Sequence, residues 1–179
     1  MSSFAVQRDG YLPRVSAHAV SRPRLTAALE TASPLTLMRS ASGSGKTTTL
    51  VEWASATASH VVWITVTPAI ATGDALAGAL LRALPEADPA HTAAGEEGWA
   101  AVTARLRAVD APLALVLDDA AAVDREGVFA LCRAVAMAAM TRLIVATNRP
   151  SPFDSEGLDL VIDTTLISPN ELMFDTDEI

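Results

Sequence analysis

The hydrophobic positions of the chain fall into two alternating kinds of pattern. Short continuous apolar runs that are bounded by polar or turn-forming residues are typical of strands buried on both faces. Such runs, or β-branched segments bounded by polar residues, predict strands near residues 35–39, 61–66, 113–118, 142–147 and 160–166. Between them the apolar residues recur every three or four positions, which predicts helices. The alternation predicts an α/β fold of three layers, with a parallel five-stranded sheet and helices on both faces.

The helices are predicted from this spacing and from the residues that start and stop it. They cover residues 21–32, Thr47 to Ala58, Gly73 to Leu84, Trp99 to Val109 and Glu126 to Met140. Ser21 is the candidate cap of the first helix, with Pro23 in its first turn and Leu25, Ala28 and Leu29 on one face. This helix is expected either to line an adenine pocket or to pack on the core with its arginines at the surface, and the pattern favours neither.

The stretch LTLMRSASGSGKTTTL, residues 35–50, places an apolar run directly before a loop of small residues and a helix. It fits a phosphate-binding loop, Gly, four residues, then Gly-Lys-Ser/Thr, except that Ser40 stands at the first glycine. Small residues let backbone N–H groups turn toward a phosphate, and the N-terminus of the following helix adds partial positive charge. The candidate phosphate-binding residues are Ser42, Gly43, Ser44, Gly45, Lys46, Thr47 and Thr48.

Lys46 is the only lysine among the 179 residues. It stands where the side chain would reach the β- and γ-phosphates, and the Thr47 hydroxyl would then be a ligand of Mg²⁺. A chain that otherwise uses arginine has kept a compact, flexible ammonium at this one place. The alternative is an ordinary Gly/Ser turn that joins a strand to a helix and carries a lysine by chance.

Polar residues follow two further strands. Asp118 and Asp119 end the apolar run that begins at Leu113, and Asn148 and Arg149 follow the strand near 142–147. Ligands gather at the carboxyl ends of parallel strands, so Asp118 is a candidate Mg²⁺ ligand and Asp119 a candidate to orient or deprotonate an attacking water. Asn148 or Arg149 would sit beside the γ-phosphate and report its presence. The alternatives are that the aspartates cap the next helix and that Asn-Arg-Pro forms a turn.

Composition narrows the functional classes. The length fits a single domain, and the formal net charge of −8 argues against binding of nucleic acid through the general field of this segment. No apolar run is long enough to span a bilayer and the N-terminus lacks a secretory signal, so we expect no membrane contact and a cytoplasmic location. Cys132 is a lone cysteine in a helical pattern and is predicted to be a buried thiol. The histidines lack ligand-like spacing, so no transition-metal site is expected.

Together with their flanks, these motifs resemble the nucleotide-binding domain of the signal-transduction ATPases with numerous domains, an AAA+/NACHT-like group. The nearest resemblance is to LuxR-type, maltose-activator-like bacterial transcription regulators. The matching segments are Arg22 to Leu25, Ser40 to Thr48, Trp63, Leu113 to Asp119, Thr147 to Arg149, and Glu171 to Phe174 with Asp177 and Glu178. The resemblance covers about residues 20–179, and residues 1–20 are expected to form an N-terminal arm.

The sequence departs from the family pattern at three places. Ala41 to Ser44 replaces a Pro-Ala-Gly-x segment, Ala120 and Ala121 stand where a Tyr-His-like pair is common, and Thr67 stands where an acidic residue often ends the second strand. These departures bear on hydrolysis more than on binding. Family regulators continue into a winged-helix segment, a helical-repeat sensor and often a helix-turn-helix, so the 179 residues are expected to be an excised domain or a truncated relative.

The resemblance implies a P-loop NTPase fold with the strand order 5-1-4-3-2, and an ATP/ADP-binding switch that uses Mg²⁺ and hydrolyses slowly or with a partner. It implies catalytic roles for Lys46, Asp119 and Arg149, and nucleotide contacts from Arg22 and Asn148 besides the loop. The expected partners are the nucleotide and either downstream regulator domains or a second subunit in the ATP state, with no direct nucleic acid contact. Two alternatives remain, a small-molecule phosphotransferase and a non-catalytic nucleotide-binding interaction module.

Overall fold

The computed structural model describes residues 12–15, 19–86 and 97–173. Within these ranges the strands are β1 (Leu35–Arg39), β2 (His60–Thr65), β3 (Leu113–Asp118), β4 (Thr141–Thr147) and β5 (Thr164–Ile167). The helices are α1 (Pro23–Thr31), α2 (Lys46–Ala56), α3 (Gly73–Ala83), α4 (Gly98–Arg107) and α5 (Arg125–Ala136). Short 3-10 helices lie at 68–70, 120–122 and 152–154. In these parts of the chain no helix combines the length and apolarity that crossing a bilayer requires. Most of the predicted N-terminal arm and the acidic end from Phe174 lie outside the described residues.

The five strands form one parallel sheet in the order β2-β3-β4-β1-β5, which confirms the predicted order. Arg39 at the end of β1 is in register with Thr147 at the end of β4, and Thr65 at the end of β2 is in register with Asp118 at the end of β3. The carboxyl ends of neighbouring strands are therefore level. This brings the loop after β1, the aspartates after β3 and the residues after β4 to one edge of the sheet.

Helices cover both faces of the sheet because the strands are apolar on both faces. In β4, Leu143 and Val145 point into a cluster with α3, α4 and α5, whereas Ile144 and Ala146 point into a second cluster with α1 and α2. Cys132 lies in the first cluster, as predicted, and burial raises the pKa of its thiol to about 12. The loop after β1 leads into α2, so the second cluster forms the base of this loop.

The ends of two helices differ from the prediction. Ser21 does not cap α1, because its hydroxyl donates to Glu52 and Arg22 occupies the capping position. Ala28 is exposed, and the buried face of α1 consists of Leu25 and Leu29. The helix α5 ends at Ala136, before the predicted Met140. Met140 instead lies in the turn that leads into β4, and its carbonyl accepts from the N–H of Leu113 at 2.8 Å.

The strand predicted at 160–166 is correct only in its second half. Residues 158–162 form a helical turn, in which the N–H of Ile162 donates to the carbonyl of Leu158 at 3.1 Å. Leu158 and Ile162 are buried, whereas Leu160 between them is 88% exposed. The apolar residues in this segment fit both a spacing of two and a spacing of four, and packing of Leu158 and Ile162 on the core selects the spacing of four.

Replacing Ile162 by alanine is expected to lower the free energy of unfolding by about 2–5 kcal/mol, because it leaves a cavity under the helical turn. The matched control, Leu160→Ala, is expected to change it by less than about 0.5 kcal/mol, because the side chain is in solvent. Urea unfolding of both variants measures the difference. A strand through 160–166 would place both side chains on one face, and equal losses would contradict the helical turn.

Candidate functional site

The loop between β1 and α2 turns through two glycines. Gly43 has a φ of 82° and Gly45 a φ of 84°, in the left-handed region that favours glycine. Ser40 is not among the described residues with positive φ, so the loop does not need a glycine at the position where the strict pattern has one. The N–H of Ser40 donates to the carbonyl of Thr147 at 3.3 Å, which fixes the start of the loop to the end of β4.

The N-terminus of α2 opens directly onto the loop. Gly45 is the capping residue, and within the described residues no side chain accepts a hydrogen bond from the first turn of the helix as a cap. The first backbone N–H groups of a helix have no partner within the helix, and they carry its partial positive charge. Lys46, Thr47 and Thr48 are the first three residues of α2, and their N–H groups are placed to bind an anion.

Lys46 crosses the inside of the loop. Its side chain is 8% exposed, and Nζ donates to the carbonyl of Ser40 at 2.7 Å, the carbonyl of Ala41 at 2.9 Å and the hydroxyl of Ser44 at 3.2 Å. Burial lowers the pKa of Lys46, and the nearby carboxylates of Asp118 and Asp119 offset part of this effect. The loop therefore holds an ammonium that is partly desolvated, which is the group a phosphate would stabilise most.

Thr47 and Asp118 meet across the sheet edge although 71 positions separate them. The hydroxyl Oγ1 of Thr47 donates to Oδ2 of Asp118 at 3.0 Å, and the N–H of Asp119 donates to Oδ1 at 3.1 Å. Asp118 is 8% exposed. Burial raises the pKa of its carboxyl and the charge of Asp119 adds to this, against the hydrogen bond from Thr47. A buried carboxylate beside a hydroxyl is a donor set of hard oxygens, so these residues fit Mg²⁺.

Asp119, Asn148 and Arg149 line a cavity of about 270 Å³ at the same edge, between the ends of β2, β3 and β4. Nδ2 of Asn148 donates to Oδ1 of Asp119 at 3.3 Å. Asp119 is exposed and has a φ of 58°, which Asp and Asn adopt more readily than most residues. Asp119 occupies the N-cap position of the 3-10 helix 120–122, but its side chain makes no capping hydrogen bond there, and α5 is capped by Asp124 through the N–H of Gly127 at 2.7 Å.

Arg22 lies behind the loop. It is 2% exposed, Nη1 donates to the carbonyl of Ser44 at 3.1 Å, and Nη2 donates to the carbonyl of Leu172. Its backbone N–H donates to Oε2 of Glu52 at 3.2 Å. These hydrogen bonds join Arg22 to the loop backbone, to α2 and to residue 172. The sequence motifs do not indicate a role for Glu52. The one signal in the sequence is that Glu52 is the only acidic residue of α2.

No protein-family model matches the chain, and no curated protein matches it. Several solved structures are similar to the chain. Cdc6p from Pyrobaculum aerophilum is similar over 92% of this chain and 48% of its own, with 20% identity and a TM-score of 0.61. A Walker-type ATPase of Pyrococcus abyssi is similar over 87% of this chain and 53% of its own, with 14% identity and a TM-score of 0.52.

A third similar structure is that of Drosophila ORC bound to AT-rich DNA and Cdc6, in which a chain matches 88% of this one at 13% identity with a TM-score of 0.52. This chain covers 58% of that one and about half of the other two. At these identities the comparisons define the fold. It is the α/β fold of the P-loop ATPases, with the sheet order described above.

Proposed function

We propose that this chain is an ATP/ADP-binding switch domain that binds its nucleotide with Mg²⁺ and hydrolyses ATP slowly or with the help of a partner. One observation carries the proposal. The Thr47 hydroxyl lies 3.0 Å from the Asp118 carboxylate, directly beside the buried ammonium of Lys46 and the uncapped N-terminus of α2. This juxtaposition provides oxygen ligands for a divalent cation next to donors for phosphate, which is the combination a magnesium nucleotide requires.

Each residue has a role that follows from its position. The N–H groups from Gly43 to Thr48 and the ammonium of Lys46 would bind the phosphates, with Ser42 and Ser44 forming the walls of the loop. Thr47 and Asp118 would hold Mg²⁺, which when bound spreads the negative charge of the phosphates.

At the adjoining cavity, Asp119 would orient a water molecule. Asn148 keeps the Asp119 carboxylate in place through their hydrogen bond, and Arg149 would stabilise negative charge at the same cavity.

The wider context that we propose is a cytoplasmic, multidomain regulator of the LuxR type, in which residues 21–179 are the nucleotide-binding domain. Support comes from the flanking motifs, Arg22 to Leu25, Trp63 and Thr147 to Arg149, which resemble that family beyond the phosphate loop. In such a protein the nucleotide state would control the downstream domains or the association of subunits. This chain covers 48%, 53% and 58% of the three similar solved structures.

The test is a calorimetric titration of the chain with ATP and with ADP, in Mg²⁺ and then in EDTA. Binding of both nucleotides is expected, and the affinity for ATP is expected to fall in EDTA because Thr47 and Asp118 then bring no cation to the phosphates. The absence of any binding would contradict the proposal. Binding of equal affinity in EDTA would remove Thr47 and Asp118 as metal ligands.

Replacing Asp119 by asparagine is expected to lower the rate of phosphate release about a hundredfold, in the range measured for loss of a general base. Asparagine tolerates the left-handed backbone that residue 119 adopts, so the chain path is kept and the affinity for ATP should stay within about threefold. Phosphate release under single-turnover conditions measures the effect. The control is Asp110→Asn, an exposed carboxylate ahead of β3. Equal turnover in Asp119→Asn and wild type would exclude Asp119 from the hydrolytic step.

A further inference from the structure

The segment 168–173, which follows β5, is joined to the phosphate loop through one side chain. The guanidinium of Arg22 donates from Nη1 to the carbonyl of Ser44 and from Nη2 to the carbonyl of Leu172, and the two acceptors are 128 positions apart in the chain, 172 against 44. A guanidinium is planar and rigid, so its two donors move together. Any displacement of the Ser44 carbonyl therefore acts on the hydrogen bond to Leu172.

On the loop side, Arg22 touches the part that would meet the phosphates. Ser44 lies between Gly43 and Gly45, which both have positive φ, and its hydroxyl accepts from Nζ of Lys46. A Cβ at Gly45 would lie 3.3 Å from Nη1 of Arg22. Arg22 therefore packs directly on the backbone that would carry the phosphate-binding N–H groups, and a bound phosphate would restrict that backbone.

On the other side, segment 168–173 is a compact turn. The carboxylate of Glu171 accepts from the N–H of Ser168 at 2.8 Å and from its hydroxyl at 2.7 Å, and the N–H of Leu172 donates to the carbonyl of Ser168 at 3.1 Å. Leu172 is 3% exposed and packs in the cluster with α1 and α2. The neighbouring Arg24 donates from Nη2 to the carbonyl of Met173 at 3.1 Å.

The position of Arg22 is fixed by α2. Oε2 of Glu52 accepts from the N–H of Arg22, and its other oxygen accepts from the hydroxyl of Ser21. Glu52 belongs to the helix that starts at Lys46, so the backbone and the side chain of Arg22 both attach to the unit of loop and helix. The arginine is consequently carried by the phosphate loop and α2, and it reaches from there to segment 168–173.

We propose that Arg22 is a positioning residue that couples nucleotide occupancy of the phosphate loop to the order of segment 168–173, an inference that rests on the proposed function. A nucleotide that restricts the loop holds the Ser44 carbonyl in place, and through Arg22 it stabilises the carbonyl of Leu172. Coupling between two sites is reciprocal, so loosening the segment must weaken nucleotide binding by the same factor.

Hydrogen exchange tests this coupling at the amides of Leu172 and Met173, which donate to Ser168 and Asn170. In the wild type, saturating Mg-ATP is expected to slow their exchange roughly fivefold or more, the lower end of measured couplings. Arg22→Met keeps a side chain of similar length but removes its hydrogen-bond donors, and it is expected to abolish the slowing of exchange. Arg22→Lys leaves one compact ammonium that cannot span both carbonyls, and is expected to retain less than half of the effect.

The matched control is Arg24→Met, which removes the hydrogen bond from Nη2 of Arg24 to the carbonyl of Met173 in the same segment. It is expected to speed exchange at Met173 with and without nucleotide alike, and to keep the ratio between the two states. Thermal unfolding shows whether each variant is folded. If Arg22→Met does not fold, the comparison of wild type with Arg22→Lys carries the test. An unchanged slowing in either Arg22 variant that binds Mg-ATP would overturn the proposal, as would a wild type that binds Mg-ATP without any slowing.

The reciprocal experiment uses Leu172→Ala, which loosens the packing of the segment. It is expected to weaken Mg-ATP binding roughly fivefold in the wild type and by less than half of that effect in Arg22→Lys. Equal losses in both backgrounds would overturn the coupling. Calorimetry measures nucleotide binding separately from the exchange of the segment. A wild type that binds no nucleotide would thus be recognised as a failure of the proposed function, and the coupling would fall with it.

Discussion

Replacing Lys46 by methionine is expected to weaken Mg-ATP binding at least about a hundredfold. Charged hydrogen bonds contribute about 1.5–3 kcal/mol each, and loss of the ammonium removes at least one of them together with its charge, for a total of about 3 kcal/mol. Methionine keeps the apolar stem of the side chain in a site that is 8% exposed. Isothermal titration of the variant and the wild type with Mg-ATP measures the loss.

The same substitution should leave the nucleotide-free protein folded. Burial lowers the pKa of Lys46, which means that the charged amine is less favourable here than in water. Loss of that charge offsets the loss of the hydrogen bonds to Ser40 and Ala41, and thermal unfolding of the variant is expected within a few degrees of the wild type. Lys46→Arg is the matched control for charge alone, and it should also bind poorly, because a guanidinium does not fit the place of the ammonium. Unchanged binding in Lys46→Met would contradict a phosphate site at this loop.

Asp118→Asn is expected to change binding and stability in opposite directions. Binding of Mg-ATP should weaken at least tenfold, because the carboxylate is the stronger of the two proposed metal ligands. The nucleotide-free protein should become more stable, because burial and the charge of Asp119 raise the pKa of Asp118 and so make its ionised form costly at neutral pH. In a domain of this size a gain of about 1 kcal/mol in the free energy of unfolding raises Tm by roughly 2–4 °C. A rise of this order is expected for Asp118→Asn.

The change in Tm caused by Asp118→Asn is expected to depend on pH. A carboxyl whose pKa is raised on folding contributes stability that is fully present below its ordinary pKa and is lost as the pH rises through the raised value. The gain in Tm from Asp118→Asn should therefore be small at low pH and grow toward neutral pH. Thermal scans in EDTA across this range, with Asp110→Asn as an exposed control, measure it. A lower Tm in Asp118→Asn at neutral pH would contradict the view that this carboxylate is destabilising without a cation.

Local patterns explain what could be predicted from the sequence. The strand β3 is a continuous apolar run up to Asp118, and β1 and β4 are mainly apolar. The glycine spacing before Lys46 marks the loop within a few residues. The meeting of Thr47 and Asp118 follows from the rule that ligands collect at the carboxyl ends of parallel strands, although 71 positions lie between them. Only the resemblance to a family predicts the sheet order, since no local pattern contains it.

Other features could not be predicted, because they depend on contacts between distant segments. Residues 158–162 fit a strand and a helical turn equally well until the positions of Leu158 and Ile162 on the core are known. Arg22 was predicted to contact the nucleotide, but no sequence pattern indicates that its guanidinium would bridge Ser44 and Leu172. Glu52 has no motif at all, and its role is visible only where it meets the N–H of Arg22.

The burial of the only lysine within these 179 residues has a practical consequence. Reagents that acylate amines have a single side-chain target here, and it lies inside the loop under the carbonyls of Ser40 and Ala41. A reagent can reach this buried amine only when the loop opens, so the rate of acylation depends on how often the loop opens. Mass spectrometry of one modified residue can thus record the opening and the occupancy of this loop, without a label introduced by mutation.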